Sequence, residues 1–204
     1  MKLVIISDTH GHHKHLTGKL PDGDVLIHCG DVSGISNEKS VEDFSLWFEQ
    51  QPFDHKICIA GNHDKCMSAK WFHTASYLED SSVTLDGLVF YGSPWTPTFF
   101  DWYWMKDRGS DIAEYWKKIP ANTDVLITHG PPSGLGVMSA ARGNSGSVED
   151  VGCADLREAV ERVQPRVHCF GHIHEGFGSI QDGETFFVNA SYINPRFSPV
   201  EIEV

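Results

Sequence analysis

Five short apolar runs, each closing on glycine and on side chains able to bind metals or move protons, constrain this chain more than any other feature. The sharpest is Ile57-Cys58-Ile59-Ala60-Gly61-Asn62-His63-Asp64. Four apolar residues, two of them β-branched and bounded by polar punctuation, predict a short buried strand. Gly61 is expected to let the backbone turn sharply, presenting Asn62, His63 and Asp64 together at the strand's carboxyl end. Open α/β sheets place their sites at that edge.

The arrangement recurs along the chain. Leu3 to Ile6 predicts a first strand ending at Ser7-Asp8-Thr9-His10-Gly11, and Asp-x-His in extended geometry would point both side chains the same way. Val25 to Ile27 runs out at Cys29-Gly30-Asp31, Val125 to Ile127 at Thr128-His129-Gly130, and Val167 to Phe170 at Gly171-His172-Ile173-His174. Between these runs, Val41, Phe44, Trp47 and Phe48 fall at helical spacing within Asn37 to Gln51, with Ser36 or Asn37 able to cap and Pro52 beyond the end. Ile112, Tyr115, Trp116 and Ile119 mark a second helix stopped by Pro120, and Leu156, Ala159, Val160 and Val163 a third before Pro165.

Asp86-Gly87 suits a two-residue hairpin turn between Val83 and Tyr91, and Asp182-Gly183 joins another hairpin whose second strand runs Thr185 to Val188. Val200, Ile202 and Val204 alternate with charged residues as a final half-exposed strand. Pro131 to Ser147 has no convincing period and reads as a lid or substrate loop. Strands separated by helices, then hairpins, predict a mixed α/β sandwich, and the 204 residues read as one domain spanning 1–204.

The formal net charge of −12 argues against sequence-independent binding to a nucleic-acid backbone, which needs clustered cations. No stable nucleic-acid partner is expected. Five cysteines without C-x-x-C spacing read as reduced core thiols, which disfavours a disulfide framework or thiolate-held zinc. The N-terminal apolar stretch is too short for a signal peptide and no segment approaches membrane-spanning length, so no membrane association and a cytoplasmic location are expected. Oligomeric state is left open.

Collected in order, the strand ends carry Asp8, His10, Asp31, Asn62, His63, Asp64, His129, His172 and His174. Carboxylates, an amide oxygen and imidazoles without thiolate suit divalent or trivalent first-row metals better than structural zinc or calcium. Seven ligand candidates exceed one tetrahedral ion, and with one carboxylate shared they fit a two-metal site. Each short motif alone is a common turn or a buried histidine; five of them after predicted strands is what favours a joint site.

Asp8-x-His10, Gly30-Asp31, Gly61-Asn62-His63-Asp64, His129-Gly130 and Gly171-His172-x-His174 resemble the five-block signature of the calcineurin-like metallophosphoesterases, in the family's order. Tyr91-Gly92-Ser93-Pro94-Trp95, His129-Gly130-Pro131-Pro132 and Asn189-Ala190-Ser191 are similar to its small metallophosphoesterase-domain branch, near the class III cyclic-nucleotide phosphodiesterases. The resemblance implies two packed mixed β-sheets flanked by helices, a four-layer sandwich. It implies one metal on Asp8, His10, Asp31 and His174 and another on Asp31, Asn62, His129 and His172, with Asp31 bridging. His63 would stay off the metals as general acid, oriented by Asp64.

The implied activity is dinuclear phosphohydrolysis with manganese, iron or zinc, a metal-bridging hydroxide attacking a small phosphoester. A phosphodiester is preferred, with cyclic nucleotides in range; a phosphomonoester or phosphoprotein is the alternative. A non-catalytic metal-binding scaffold of the same fold is the rival class, and His63 discriminates, since a scaffold needs no proton donor beside its metals. Outside the blocks, Trp95, Phe99, Phe100, Trp102, Tyr103 and Trp104 read first as a hydrophobic cap or oligomer contact and second as a stacking surface for a flat group. His28 and His168 read as core or supporting residues; His12 and Arg142 are weaker candidates for touching substrate.

Overall fold

The computed structural model describes residues 1–34, 37–142, 147–191 and 199–204. In chain order the elements are β1 (Lys2–Ile6), β2 (Val25–His28), α1 (Glu38–Glu49), β3 (His55–Cys58), β4 (Ser76–Tyr77), β5 (Ser81–Leu85), β6 (Leu88–Ser93), β7 (Thr96–Pro97) and β8 (Met105–Lys106). There follow α2 (Ser110–Trp116), β9 (Val125–Thr128), β10 (Ala140–Arg142), β11 (Val148–Asp150), α3 (Ala154–Val163), β12 (Val167–Phe170), β13 (Gly178–Asp182), β14 (Thr185–Asn189) and β15 (Val200–Glu203).

A five-stranded sheet has the order β15-β1-β2-β3-β4, and a six-stranded sheet the order β13-β14-β12-β9-β6-β5. In the first, β1 to β4 pair in parallel and β15 closes one edge antiparallel to β1. In the second, β14, β12, β9 and β6 are parallel, with β13 and β5 antiparallel at the two edges. Parallel strands buried on both faces need apolar runs, which is why Leu3–Ile6 of β1, Val25–Ile27 of β2 and Val125–Ile127 of β9 show no polar alternation.

Alternate side chains point to opposite faces of each strand. Leu3, Ile5, Val25, Ile27 and Ile57 meet Phe90, Val125, Ile127, Val167 and Val188 between the sheets. Val4, Ile6, Leu26 and Cys58 face the other way, onto Val41, Phe44, Trp47 and Phe48 of α1. Leu126, Phe170 and Phe187 face outward onto Ile112 and Trp116 of α2 and Leu156, Val160 and Val163 of α3. The result is helix, sheet, sheet, helix: the mixed sandwich expected from the order of elements.

Asn37 caps α1, its side-chain oxygen accepting from the Ser40 amide at 2.9 Å. The alternative cap, Ser36, lies outside the described residues. α2 is shorter than its periodicity suggests; it ends at Trp116, and a turn in which the Ile119 amide donates to the Trp116 carbonyl keeps Ile119 buried. The stretch expected to lack structure after His129 contains a 3₁₀ turn (Gly136–Ser139) and the β10–β11 hairpin. Its strands are three residues each, too short to show a period. Residues 143–146 of that stretch are outside the described residues. Among the described residues no helix is long and apolar enough to cross a membrane.

Candidate metal centre

Both sheets send their strand ends to one place. Asp8 and His10 follow β1, Asp31 follows β2, and Asn62, His63 and Asp64 follow β3, all from the first sheet; His129 follows β9 and His172 and His174 follow β12, from the second. The loops are cross-linked by backbone: Asp8 donates to the Gly30 carbonyl at 2.9 Å, His10 to Asp31 at 3.0 Å, and Gly171 to His129 at 2.9 Å. An isolated bridge between Ser7 and Ser191 ties the end of β1 to the segment after β14, across the two sheets.

The backbone that aims these side chains is not extended. Asp8, His10, Asp31 and His172 all take positive φ, at 54°, 43°, 55° and 67°. The expectation of an extended Asp-x-His is therefore corrected: left-handed turns bring Asp8 and His10 to the same side, where an extended backbone would aim them by alternation. Asp and His tolerate this region better than most residues, yet each costs on the order of 1 kcal/mol, held in place by the surrounding bonds. Gly61 is also reinterpreted. Its φ is not positive; a Cβ there would strike the Asp31 carboxylate and come within 2.6 Å of the His129 ring. Glycine at 61 serves close approach, as it does at Gly171, where a Cβ would strike Ser7 and Asp8.

Among the described residues, three groups each bring their potential ligand atoms within 4.8 Å of one another: Asp8 with His10 and His174, Asp31 with His129 and His172, and His10 with Asp31 and His63. Asp31 Oδ2 stands 3.4 Å from His129 Nε2 and 3.9 Å from His10 Nε2, between the first two groups. Asn62 Oδ1 lies 2.9 Å from His129 Nε2, and His174 Nε2 lies 3.4 Å from Asp8 Oδ1. All seven candidate ligands are thus brought together.

The donor set fits cations on its own chemistry. Asp8 and Asp31 are 1% and 2% exposed and face imidazoles, with no lysine or arginine paired to either among the described residues. The Nδ1 of His129 donates to the Cys29 carbonyl at 2.9 Å, which aims Nε2 at two acceptors, Asn62 Oδ1 and Asp31 Oδ2. Acceptors gathered in this way require a proton or a cation among them. Burial disfavours a charge on His129, but Asp31 and then Asp8 overcome it and push the imidazole up to about 9. Burial opposes ionisation of Asp8 too, and the His174 hydrogen bond and His129 hold it well below the ordinary carboxylate range. His172 is lowered to about 4, by burial first and His129 second, so its ring is neutral and able to ligate.

His63 is held differently from what its sequence neighbour suggests. Its Nδ1 lies 3.0 Å from the Gly34 carbonyl, its amide donates to Asp31 Oδ1 at 2.8 Å, and its ring packs on Trp102 with centroids 4.2 Å apart. Asp64, the expected orienting partner, instead accepts from the amides of Val32, Ser33 and Gly61 and from the Ser33 hydroxyl at 2.8 to 3.0 Å. Burial and the Asp31 charge push Asp64 up to about 6. It braces the turn; it does not hold the His63 ring.

An open cavity of about 540 Å³ is lined by His10, Asp31, Asn62, His63, His172 and His174 on one side and Phe99 to Trp102 on the other. The aromatic loop is therefore a wall of the site. Within it, Trp95 and Trp104 are structural: Trp95 packs on Tyr115 at 4.3 Å, and Trp104 Nε1 donates to the Asp64 carbonyl at 3.0 Å. Phe100 is 85% exposed, which packing does not account for. Neither His12 nor Arg142 lines this cavity, and both are exposed. His28 and His168 are buried supports whose Nε2 atoms meet the hydroxyls of Thr9 at 3.0 Å and Thr128 at 2.8 Å. Asn189 is a support that its residue type alone does not reveal; its amide donates to the Ile173 carbonyl at 2.9 Å and pins the His172 to His174 turn.

Comparison with known proteins agrees with this geometry. A family model described as calcineurin-like phosphoesterase matches residues 1–176. Metallophosphoesterase domain-containing protein 1 of Homo sapiens is 37% identical over 229 residues, covering 98% of this chain and 68% of the relative. The Caenorhabditis elegans UPF0046 protein K07C11.7 is 37% identical over 215 residues, covering 95% and 70%. The crystal structure of TT1561 of Thermus thermophilus superposes with a TM-score of 0.64 at 11% identity, over 92% of this chain and 88% of that one, a likeness of fold alone. Five strand-end motifs that converge in space, and a family match over most of the chain, place this protein in the calcineurin-like phosphoesterase family.

Proposed function

We propose that the chain hydrolyses a small phosphodiester at this centre, cyclic nucleotides being within that class. Asp8, His10, Asp31 and His174 would hold one divalent or trivalent cation, and Asp31, Asn62, His129 and His172 the other, drawn from manganese, iron and zinc. The position of Asp31 Oδ2 between His129 and His10 carries the reading. A cation pair held there would supply the positive charge that activates water and offsets phosphoryl charge that this acidic chain would otherwise repel.

The chain's own groups supply the rest. Water adds to phosphorus as the bond to the leaving oxygen breaks, giving an alcohol and a phosphomonoester. His63, with Nδ1 turned to the Gly34 carbonyl and its ring against Trp102, presents Nε2 toward the cavity and gives a proton to the departing alkoxide. Distance alone lets His63 ligate beside His10 and Asp31; the two four-residue sets above are complete without it, and that, with its place in the cavity wall, is what favours the proton-transfer role. His172 and Asn62 keep their shape through the Asp8 carboxylate, which accepts from the His172 amide at 3.0 Å, and through His129. Five cysteines that are thiols and not disulfides fit a reducing compartment, and we place the protein in the cytoplasm on that ground.

Stripping the protein with chelator, reloading it with manganese and assaying bis-p-nitrophenyl phosphate beside p-nitrophenyl phosphate tests this. Faster turnover of the diester is the expected result. Turnover of the monoester alone would overturn the diester preference, and no turnover of either would overturn the hydrolase.

A further inference from the structure

A second cavity of about 330 Å³, more enclosed than the first, adjoins the metal centre on the far side of Phe99. The two cavities share Phe99, His172 and His174. Phe99 packs on the His172 ring with centroids 5.1 Å apart, so one aromatic side chain and two candidate ligands form the partition. Beyond it the lining is mainly apolar, including Pro97, Pro131, Ala141, Val151 and Ile173.

The charges here do not suit a phosphoryl group. Among the described residues of the lining, Arg108 and Glu175 are the two formally charged side chains, and they offset each other. Arg108 also spends two guanidinium nitrogens on the carbonyls of Val151 and Gly152, each at 2.7 Å. The volume lies at the lower end of the range for small-molecule pockets. An uncharged apolar group, placed beside the phosphorus and not on it, is what this space accepts.

From this we infer that the second cavity binds the retained ester substituent of an acyclic phosphodiester, a flat or apolar group, while the leaving group occupies the open cavity beside His63. The inference rests on the hydrolase reading and narrows its substrate. A diester has two substituents, and among the described residues two cavities flank the centre. A monoester fills one of them, and so does a cyclic diester, whose two ester oxygens belong to a single group. After cleavage the retained group stays in the second cavity on the phosphomonoester product.

Two diesters with the same leaving group isolate the retained one: methyl p-nitrophenyl phosphate and phenyl p-nitrophenyl phosphate, assayed with the manganese-loaded full chain. The expected kcat/KM ratio favours phenyl by about tenfold or more, the scale set by burying a ring in an apolar pocket. Ala141→Trp and Val151→Trp, which fill the cavity from two strands or their flanks, are each expected to bring the ratio toward one. Calorimetric binding of diphenyl phosphate relative to dimethyl phosphate should weaken in step. A ratio near one in the unaltered protein, or an unchanged ratio in two folded variants, overturns the assignment of this cavity while leaving the hydrolase standing. Absence of turnover of either ester overturns the hydrolase and the assignment with it.

Discussion

At the level of single residues, function turns on which imidazole does what. Six histidine and carboxylate side chains and Asn62 converge on two overlapping positions, and His63 stands beside them with a separate set of supports. If His63 is the proton donor, His63→Ala retains its metal content by elemental analysis while kcat falls by about 10² to 10⁴ on esters with poor leaving groups. Loss of one cation in that variant would make His63 a ligand instead. The ligand candidates were legible in the sequence because each follows an apolar run and strands of this class deliver function at their ends. The support of His63 was not: Asp64 is its neighbour in sequence, but the ring meets the Gly34 carbonyl, and a backbone carbonyl leaves no mark on a sequence. The left-handed turns at Asp8, His10, Asp31 and His172 were hidden for a related reason, since Asp and His visit that region without the glycine that would announce it.

At the level of elements, the long apolar runs and the helices packed on them were readable because burial on both faces of a parallel sheet forces a recognisable composition. The two-residue strands β4, β7 and β8 and the β10–β11 hairpin were not, because a period needs several repeats to register. The end of β3 makes a test of why glycine stands there. Gly61→Ala places a Cβ against the Asp31 carboxylate and the His129 ring, so the urea midpoint is expected to drop by an amount equal to about 1 to 3 kcal/mol, with metal occupancy falling in parallel. Full occupancy and an unmoved midpoint would return Gly61 to the role of a simple turn.

For the whole molecule, both sheets must dock before the centre exists, since His129, His172 and His174 come from one and the remaining candidate ligands from the other. The docked core also buries neutral histidines. Burial lowers His168 to about 3 from an ordinary 6.5, and the unfolded chain therefore binds the extra proton between those pH values. Its contribution to stability is complete above pH 6.5 and is lost as pH falls toward 3, by on the order of 1.4 kcal/mol per pH unit within that window. Urea unfolding of the chelated protein across this range should show a shallower decline in His168→Gln than in the unaltered chain, and identical slopes would contradict it.

Whether one carboxylate serves two cations is read from the metal content per chain of the unaltered protein and of Asp31→Ala after reloading with manganese and exhaustive dialysis. A shared Asp31 predicts two equivalents in the first and loss of both in the second; a single equivalent in the unaltered chain, or full occupancy without Asp31, would contradict a bridged pair.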